Sequence, residues 1–329
     1  MLVKAILSGQ AVALCLGGVG IFSKMLISND YYSAFVQVTV GYLLMSSVLF
    51  VVRPWKSGLK VEAWRYALLA TIDATGNLCY SKAFGDIAAS SVRMTIGFTV
   101  PGSVILGYFV FNRKVSPRQI VAVLIAVSGV VLNFTGDAVS DRKYRREWPE
   151  NGVVWKGFLY ALIAATCFAI SNVFEEWVQR KAHEKQKIDD RYTHLEMVGM
   201  MGLLGALITP LLGAALEWNT TLSNGTIFSK PELKLICYGL GFAICMCSFY
   251  VGLSIFLTKH NASFLNLNML TVSIDVLIFE ALYTGGFRAN DWVYMLAFFL
   301  SLAGTGYFYF AGYQAEKKVL ETSKDGIRV

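Results

Sequence analysis

Ten long apolar runs divide this sequence, and they constrain its fold more than any other feature. A helix needs about 20 apolar residues to cross the hydrocarbon of a bilayer. The runs of that length are 5–27, 32–52, 64–84, 88–111, 117–135, 153–179, 194–217, 232–257, 262–285 and 290–315. Charged residues make up only 16% of the chain, against roughly 25% in soluble proteins. The sequence therefore predicts an all-α polytopic membrane protein with ten transmembrane helices, and it excludes a soluble fold.

The distribution of basic residues predicts the orientation of these spans. An even number of spans places both termini on one side, where 18 of the 29 Lys and Arg residues fall, against nine on the other side. Cytosolic loops carry the excess of Lys and Arg, so we expect cytosolic termini. The basic loop between spans 5 and 6, which contains Arg142 and Arg145, argues the other way. The net charge of +7 is then an orientation signal that requires no nucleic-acid partner.

Two sequons lie in the loop between spans 7 and 8, at Asn219-Thr220-Thr221 and Asn224-Gly225-Thr226. This topology places that loop outside the cytosol, so we expect a glycan on Asn219 or Asn224. A third sequon, at Asn261, lies at a cytosolic helix end.

All six cysteines fall inside predicted spans, where buried thiols are favoured over a disulfide framework. The sequence shows no metal-ligand cluster, nucleophile–base pair or nucleotide loop, so we expect no enzyme, metal or cofactor.

The ten spans divide into two halves of five. The expected parts are a first repeat at 1–135, a connecting loop at 136–152, a second repeat at 153–315 and a cytosolic tail at 316–329. Because five is odd, the second half must enter the membrane upside down. Segment 89–111 can be laid on 262–284 without a gap, and Gly129 falls on Gly304 after a two-residue gap. Inverted repeats are typical of secondary transporters, whose substrate site lies between the halves.

Polar side chains inside the spans are the candidate site residues, because charge at membrane depth costs about 2.5–3.5 kcal/mol. Asp73, Asn77 and Tyr80 are spaced by four and three residues in span 3, so they share one helix face. That face either lines an aqueous path or forms a hydrogen-bond network inside the bundle. Arg93 in span 4 could bind an anionic or carbonyl-bearing substrate, pair with Asp73, or extend outward to the interface. Pro101 permits a kink in the same span.

Further polar or aromatic positions complete the set of candidates. The other substrate-binding candidates are Phe98, Gln10, Gln37, Asn266, Thr271 and Asp275. Glu175 and Glu176, near the cytosolic end of span 6, either take up protons or form a salt bridge with Arg180 or Lys181. Lys24 ends span 1, where it either contributes to gating or extends to the interface.

In their order and spacing these residues resemble solute carrier family 35, subfamily F, of the drug/metabolite transporter superfamily. The resemblance covers nearly all of the chain. It rests on Gly9-Gln10, Ser23-Lys24, Gln37, Tyr42, Asp73, Asn77, Lys82-Ala83, Pro101, Ser171-Asn172 with Glu175-Glu176, Glu196, Gly199-Met200, Asn266-Leu267 and Thr271. The Ser-Asn-x-x-Glu-Glu stretch is the most specific of these matches.

The resemblance implies the drug/metabolite transporter fold, with ten helices in two inverted halves and alternating access around a central cavity. The branch nearest this sequence is associated with uptake of the modified nucleobase queuine and its nucleoside. The chain departs from that branch at Thr75 and Ile96, where the branch has acids, and at Arg93, where it has an amide. These differences could change the preferred charge of the substrate.

The leading hypothesis is a secondary transporter of a nucleobase- or nucleoside-like solute in the plasma, Golgi or endosomal membrane. Its expected partners are the small-molecule substrate, the lipid bilayer and, as a candidate coupling ion, the proton. The protein is expected to be a monomer or a homodimer. A nucleotide-sugar or nucleotide exchanger is the first alternative, with Arg93 and Lys24 binding phosphate. A transport-inactive membrane scaffold or receptor is the second.

Overall fold

The computed structural model describes most of the predicted spans as helices. The described residues are 2–28, 33–54, 58–87, 89–112, 116–144, 154–186, 191–217, 233–259, 291–325 and the single positions 265, 269, 272, 276, 278, 279 and 282. The helices are α1 Leu2–Ser28, α2 Ala34–Ser46, α3 Leu49–Val52, α4 Ala63–Asp86, α5 Ala89–Ile96, α6 Thr99–Phe111, α7 Pro117–Tyr144, α8 Val154–Gln186, α9 Arg191–Glu217, α10 Leu233–Lys259 and α11 Asp291–Asp325. These ranges contain no β-strand.

Within the described ranges, seven helical stretches are long and apolar enough to cross a membrane. They are Leu7–Ile27, Ala34–Val52, Ser91–Phe111, Trp155–Lys181, Thr193–Ala215, Leu233–Leu257 and Trp292–Gly312. The all-helical membrane class is therefore confirmed. The predicted spans 64–84 and 117–135 lie in α4 and α7, which are not among the seven. No stretch of α4 is apolar enough over the required length, and the apolar part of α7 is too short. The predicted span 262–285 lies almost entirely outside the described residues.

Several helices differ in extent from the predicted spans. The second span is interrupted by a turn at Ser47-Val48, between α2 and α3. Helix α7 continues to Tyr144, within the predicted connecting loop, and α11 continues to Asp325, within the predicted tail. The length of an apolar run reflects the thickness of the bilayer, whereas a helix continues until its backbone is interrupted. Residues 316–325 contain neither Gly nor Pro and so extend α11 beyond the apolar run.

Span 4 is broken into α5 and α6 close to Pro101, the residue that predicts a kink in this span. Pro101 has no N–H group, so the carbonyl of Gly97 loses its helical donor four residues later. The Val100 N–H donates to the Gly97 carbonyl instead, at 3.0 Å. The N–H groups of Gly97 and Phe98 also donate to carbonyls three residues earlier. The break places Gly97 and Thr99 in the wall of the cavity described below.

Glycines allow the helices to approach closely, as the spacing of Gly199, Gly202 and Gly205 predicts. A Cβ atom on Gly202 would lie 2.4 Å from the backbone nitrogen of Ser46, and one on Gly205 would lie 2.8 Å from the ring of Tyr42. Helix α9 therefore packs directly on α2. The other main contacts join α7 with α11, α4 with α8, α1 with α10, α9 with α4, and α10 with α2. Close backbone approach is what holds helices together in lipid.

Apolar side chains occupy both the interior and the outer surface. Tyr66, Phe242 and Phe298 are among the large side chains that are fully buried. On the outside, Leu211 and Leu233 keep 74% and 77% of their surface exposed. A soluble monomer rarely exposes apolar patches of such extent, and lipid is their natural environment.

Candidate substrate-binding site

A cavity lies between α1, α4, α5, α6, α8 and α10, and four predicted site residues line it. The four residues are Asp73, Asn77, Tyr80 and Arg93, from α4 and α5. Most of the remaining wall is apolar or aromatic and includes Phe168 and Phe249. A largely apolar wall with a few convergent polar groups is typical of a small-molecule site.

Asp73 is the centre of a hydrogen-bond network that joins four helices, α2, α4, α8 and α10. Its side chain is buried, and its Oδ2 accepts hydrogen bonds from Tyr42 of α2 at 2.6 Å and from Tyr250 of α10 at 2.7 Å. The Asn77 amide lies 3.0 Å from the same oxygen and 2.6 Å from the Tyr250 hydroxyl. The Ser171 hydroxyl reaches Oδ1 at 3.5 Å. Asp73 and Asn77 therefore line the cavity and also belong to a network inside the bundle.

Neutral donors, and no cation, surround Asp73 within the described part of the chain. Hydrogen bonds to a charged group contribute about 1.5–3 kcal/mol each. Three or four such bonds can offset the several kcal/mol that burying a carboxylate costs. The acid therefore needs no ion pair to remain in the bundle, and its neighbours fix its position at the cavity wall.

Arg93 is buried at the other side of the cavity, with only 4% of its surface exposed. Its Nη2 donates to the Leu16 carbonyl of α1, and its guanidinium carbon lies 4.9 Å above the ring of Tyr80. The structure therefore shows neither the expected alternative of pairing with Asp73 nor that of extension to the interface. Among the described residues, Arg93 makes no ion pair. The Arg93 Nε and the Tyr80 hydroxyl are buried, and neither has a hydrogen-bond partner in the part of the chain that the structure describes.

The adjacent acids of α8 have different environments. Glu176 forms the expected salt bridge with Arg180, at 2.6 Å. Glu175 is buried and accepts a hydrogen bond from the amide of Gln179 at 3.0 Å, and the same amide lies 3.3 Å from the Ser254 hydroxyl. Adjacent helical residues point about 100° apart, which explains why the two acids have separate partners.

Three predicted substrate-binding residues lie in the described helices but do not line this cavity. Gln37 is buried and accepts a hydrogen bond from Ser23 at 3.4 Å. Gln10 lies six residues before Leu16, the nearest lining residue of α1, which is about 9 Å along the helix. Phe98 sits at the helix break, where Gly97 reaches the wall instead. Lys24, in α1, is also absent from the wall.

The other predicted residues lie outside the described residues. They are Asn266, Thr271, Asp275, Asn219 and Asn224.

Sequence reasoning missed the two tyrosines that hold Asp73. Tyr42 and Tyr250 fall in apolar runs, where an aromatic residue is expected to pack, and their partner is distant in sequence. Tyr42 does belong to the pattern shared with the transporter family, which is the one signal that could have found it. Ser171, the weaker donor to Asp73, was recognised only as part of the Ser-Asn-x-x-Glu-Glu stretch.

Glu196 was also recognised only as part of the family pattern. It is fully buried on α9. Its Oε1 accepts hydrogen bonds from the Tyr66 hydroxyl at 2.7 Å and from the Lys60 backbone N–H at 2.9 Å. This acid therefore fixes the start of α4, and with it the helix that carries Asp73.

Residues 1–310 match the family model described as SLC35F, solute carrier family 35. Solute carrier family 35 member F2 of Mus musculus is 24% identical over 312 residues, which cover 91% of this chain and 78% of the relative. The protein of the same name from Xenopus tropicalis is 23% identical, with coverage of 92% and 75%. An uncharacterized solute carrier family 35 member of Schizosaccharomyces pombe, C320.08, is 24% identical, and the match spans 90% of this chain and 55% of that protein.

The fold is also similar to that of a solved crystal structure. The TM-score is 0.59 at 13% sequence identity, and the match covers 95% of this chain and 99% of the other. At this identity the likeness concerns the fold alone.

Proposed function

We propose, because the chain belongs to the SLC35F family of solute carriers, that it moves a small polar organic solute across a membrane by alternating access. The observation that carries this proposal is the buried acid Asp73, held by tyrosines from two other helices in the wall of a cavity. A membrane protein retains such a group at a cost, and intramembrane acids usually mark a substrate or ion path. The proposed binding site is therefore this cavity.

The pairing of helices supports two inverted halves at 1–135 and 153–315. If spans 1–5 correspond to spans 6–10, the contact of α1 with α10 corresponds to the contact of α8 with α4. The contact of α2 with α10 then corresponds to that of α9 with α4. Both contacts of each pair are present. The proposed site lies where the two halves meet, as in transporters built from inverted repeats.

The contacts of Gly129 and Gly304 support the same correspondence between the two halves. A Cβ atom on Gly129 of α7 would lie 2.5 Å from the carbonyl oxygen of Ala297 in α11. A Cβ atom on Gly304 of α11 would lie 2.7 Å from the carbonyl oxygen of Ala122 in α7. Each residue is 175 positions from its counterpart. Reciprocal contacts of this kind are expected when a two-fold axis passes between the two helices.

We further propose a nucleobase- or nucleoside-like solute of the queuine type. The aromatic side chains of Phe168, Phe249 and Tyr250 line the cavity and could pack against a planar ring. The carboxylate of Asp73 and the amide of Asn77 lie side by side, so they offer an acceptor and an amide to the edge of a base. The resemblance to the queuine-transporting branch supports the same solute class.

Glu175 is our candidate for the coupling proton. It is buried on α8, beside the cavity residue Asn172. Gln179 and Ser254 are its neutral neighbours, and the acid Asp73 is close enough to interact with it electrostatically. Acids in such positions form the proton relays of transporters. The Glu176–Arg180 pair, at the same end of α8, is the corresponding candidate for a gate. Lys24 stays a prediction as a gating residue.

Uptake by proteoliposomes tests the proposed function. Saturable uptake of queuine should be lost in Asp73→Asn at equal protein amount. Thr71→Ala on the same helix should transport normally, because its exposed hydroxyl donates to the Ala67 carbonyl and does not line the cavity. Normal uptake by Asp73→Asn contradicts the site. Trans-stimulation by a nucleoside monophosphate favours the exchanger. If no solute raises the unfolding temperature, the scaffold is favoured.

A further inference from the structure

Two hydrogen-bond donors in the cavity wall have no partner among the described residues. They are the Nε of Arg93 and the hydroxyl of Tyr80. Both side chains are almost completely buried, with 4% and 2% of their surface exposed, and both line the cavity. Buried polar groups in native proteins are nearly always satisfied, so an orphaned pair at one place indicates a missing partner.

The two donors converge beside Gly20 of α1. A Cβ atom at Gly20 would lie 3.1 Å from Nη2 of Arg93, 3.2 Å from Nε and 3.3 Å from the Tyr80 hydroxyl. These three atoms therefore lie close together, near enough for a single group with several oxygens to reach them. Gly20 places no side chain against them from α1.

The charge of the missing partner follows from what surrounds Arg93. Its neighbours among the described residues include the Leu16 carbonyl, the ring of Tyr80 and the phenol of Tyr294, and none of them is a carboxylate. Asp73, the acid of the described cavity wall, is already bonded to Tyr42, Tyr250 and Asn77. A buried guanidinium binds carboxylate and phosphate through paired N–H groups better than it binds any neutral acceptor.

We propose that Arg93 and Tyr80 form a subsite for an oxyanion, a carboxylate or phosphate group of the transported solute. Nε of Arg93 and the Tyr80 hydroxyl donate to its oxygens, and Gly20 of α1 places no side chain between these donors. The cavity then has an acceptor pole at Asp73 and a donor pole at Arg93. The assignment of the oxyanion to the transported solute rests on the proposed function, whereas the subsite itself does not.

Simple anions test the subsite without any transport. The unfolding temperature of the purified full-length protein in detergent is measured against inorganic phosphate or acetate, with chloride holding the ionic strength constant. Wild type should be stabilised, and Arg93→Gln should lose most of the shift. Arg118→Gln is the matched control, because this exposed arginine bonds to Gln314 outside the cavity. A response to phosphate alone assigns a phosphate, and a response to acetate alone or to both anions assigns a carboxylate-accepting site.

Two further variants keep the test decisive if Arg93→Gln does not fold. Tyr80→Phe removes one donor and should lose about half of the anion-dependent shift. Gly20→Ala places a methyl group beside all three polar atoms and should lose most of the shift while the guanidinium stays. If phosphate and acetate stabilise no more than chloride, or if these variants respond as wild type does, the subsite is wrong.

Competition against queuine uptake then connects the subsite to transport. Orotate is uracil with a carboxylate, so the two form a matched pair. Orotate should compete at least tenfold better than uracil in wild type, and this ratio should approach one in Arg93→Gln. If orotate competes better than uracil by the same factor in wild type and in Arg93→Gln, the oxyanion does not belong to the transported solute. Loss of uptake in Asp73→Asn with an unchanged anion response in Arg93→Gln rejects only the subsite. An Arg93-dependent anion response without uptake of any nucleobase rejects only the transport proposal.

Discussion

The hydroxyl of Tyr250 lies 2.7 Å from Oδ2 of Asp73, across 177 residues of chain. This bond joins α10 to α4 at the cavity wall, and Tyr42 of α2 donates to the same oxygen from another side. The position of the acid is therefore determined by two helices other than its own. A movement of α10 relative to α4 would change the donors of Asp73, so the network can couple the state of the bundle to the site.

The two tyrosines should have separable roles. Tyr42→Phe and Tyr250→Phe each remove one bond to a buried acid, so each should lower the free energy of unfolding by about 1–3 kcal/mol. Only Tyr250 lines the cavity, so only Tyr250→Phe should also weaken solute binding directly. Thermal unfolding and a binding titration on the same preparations check both effects. Equal solute affinity in Tyr250→Phe and wild type would contradict this role.

The contact of α7 with α11 should depend on its glycines. Gly304→Ala places a methyl group 2.4 Å from the backbone nitrogen of Ala126, so the helices must separate. We expect a loss of about 1–3 kcal/mol in unfolding free energy, typical of overpacking. Gly306→Ala is the control, since nothing lies within 4 Å of its Cβ position. If both variants unfold at the wild-type temperature, the close approach is wrong.

Glu175 should carry the dependence of uptake on a proton gradient. In Glu175→Gln, uptake should no longer respond to an imposed pH difference, whereas exchange of labelled for unlabelled solute should continue. Glu176→Gln should keep the response, because Glu176 is occupied by Arg180. The measurement is uptake into proteoliposomes with and without the gradient. An unchanged gradient response in Glu175→Gln excludes this acid as the coupling site.

The sequons provide a test of orientation that is independent of the site. In cells, Asn219→Gln combined with Asn224→Gln should remove the mobility shift that a glycosidase reverses. Asn261→Gln should leave the shift unchanged, because its sequon is predicted at a cytosolic helix end. A shift that depends on Asn261 would reverse the predicted topology.

Local periodicity was sufficient to find one face of the site. Asp73, Asn77 and Tyr80 are separated by whole helical turns, and the structure places all three on the cavity wall. Phe98 and Gln10 were chosen for their aromatic and polar character, and they do not line this cavity. Their role in substrate binding stays a prediction. Polarity marked Asp73 and Gln10 as unusual in lipid, but it could not show in which direction either side chain points.

The sequence by itself determined the membrane class and the helix face that carries Asp73, because apolar length and helical period are local properties of the chain. Only the tertiary structure decided that two tyrosines distant in sequence donate hydrogen bonds to the buried carboxylate of Asp73. It also decided that Arg93 remains buried beside Tyr80 without a carboxylate among the described residues. Such pairings depend on which helices pack together and how closely their glycines let them approach. Those contacts join residues that no local pattern connects.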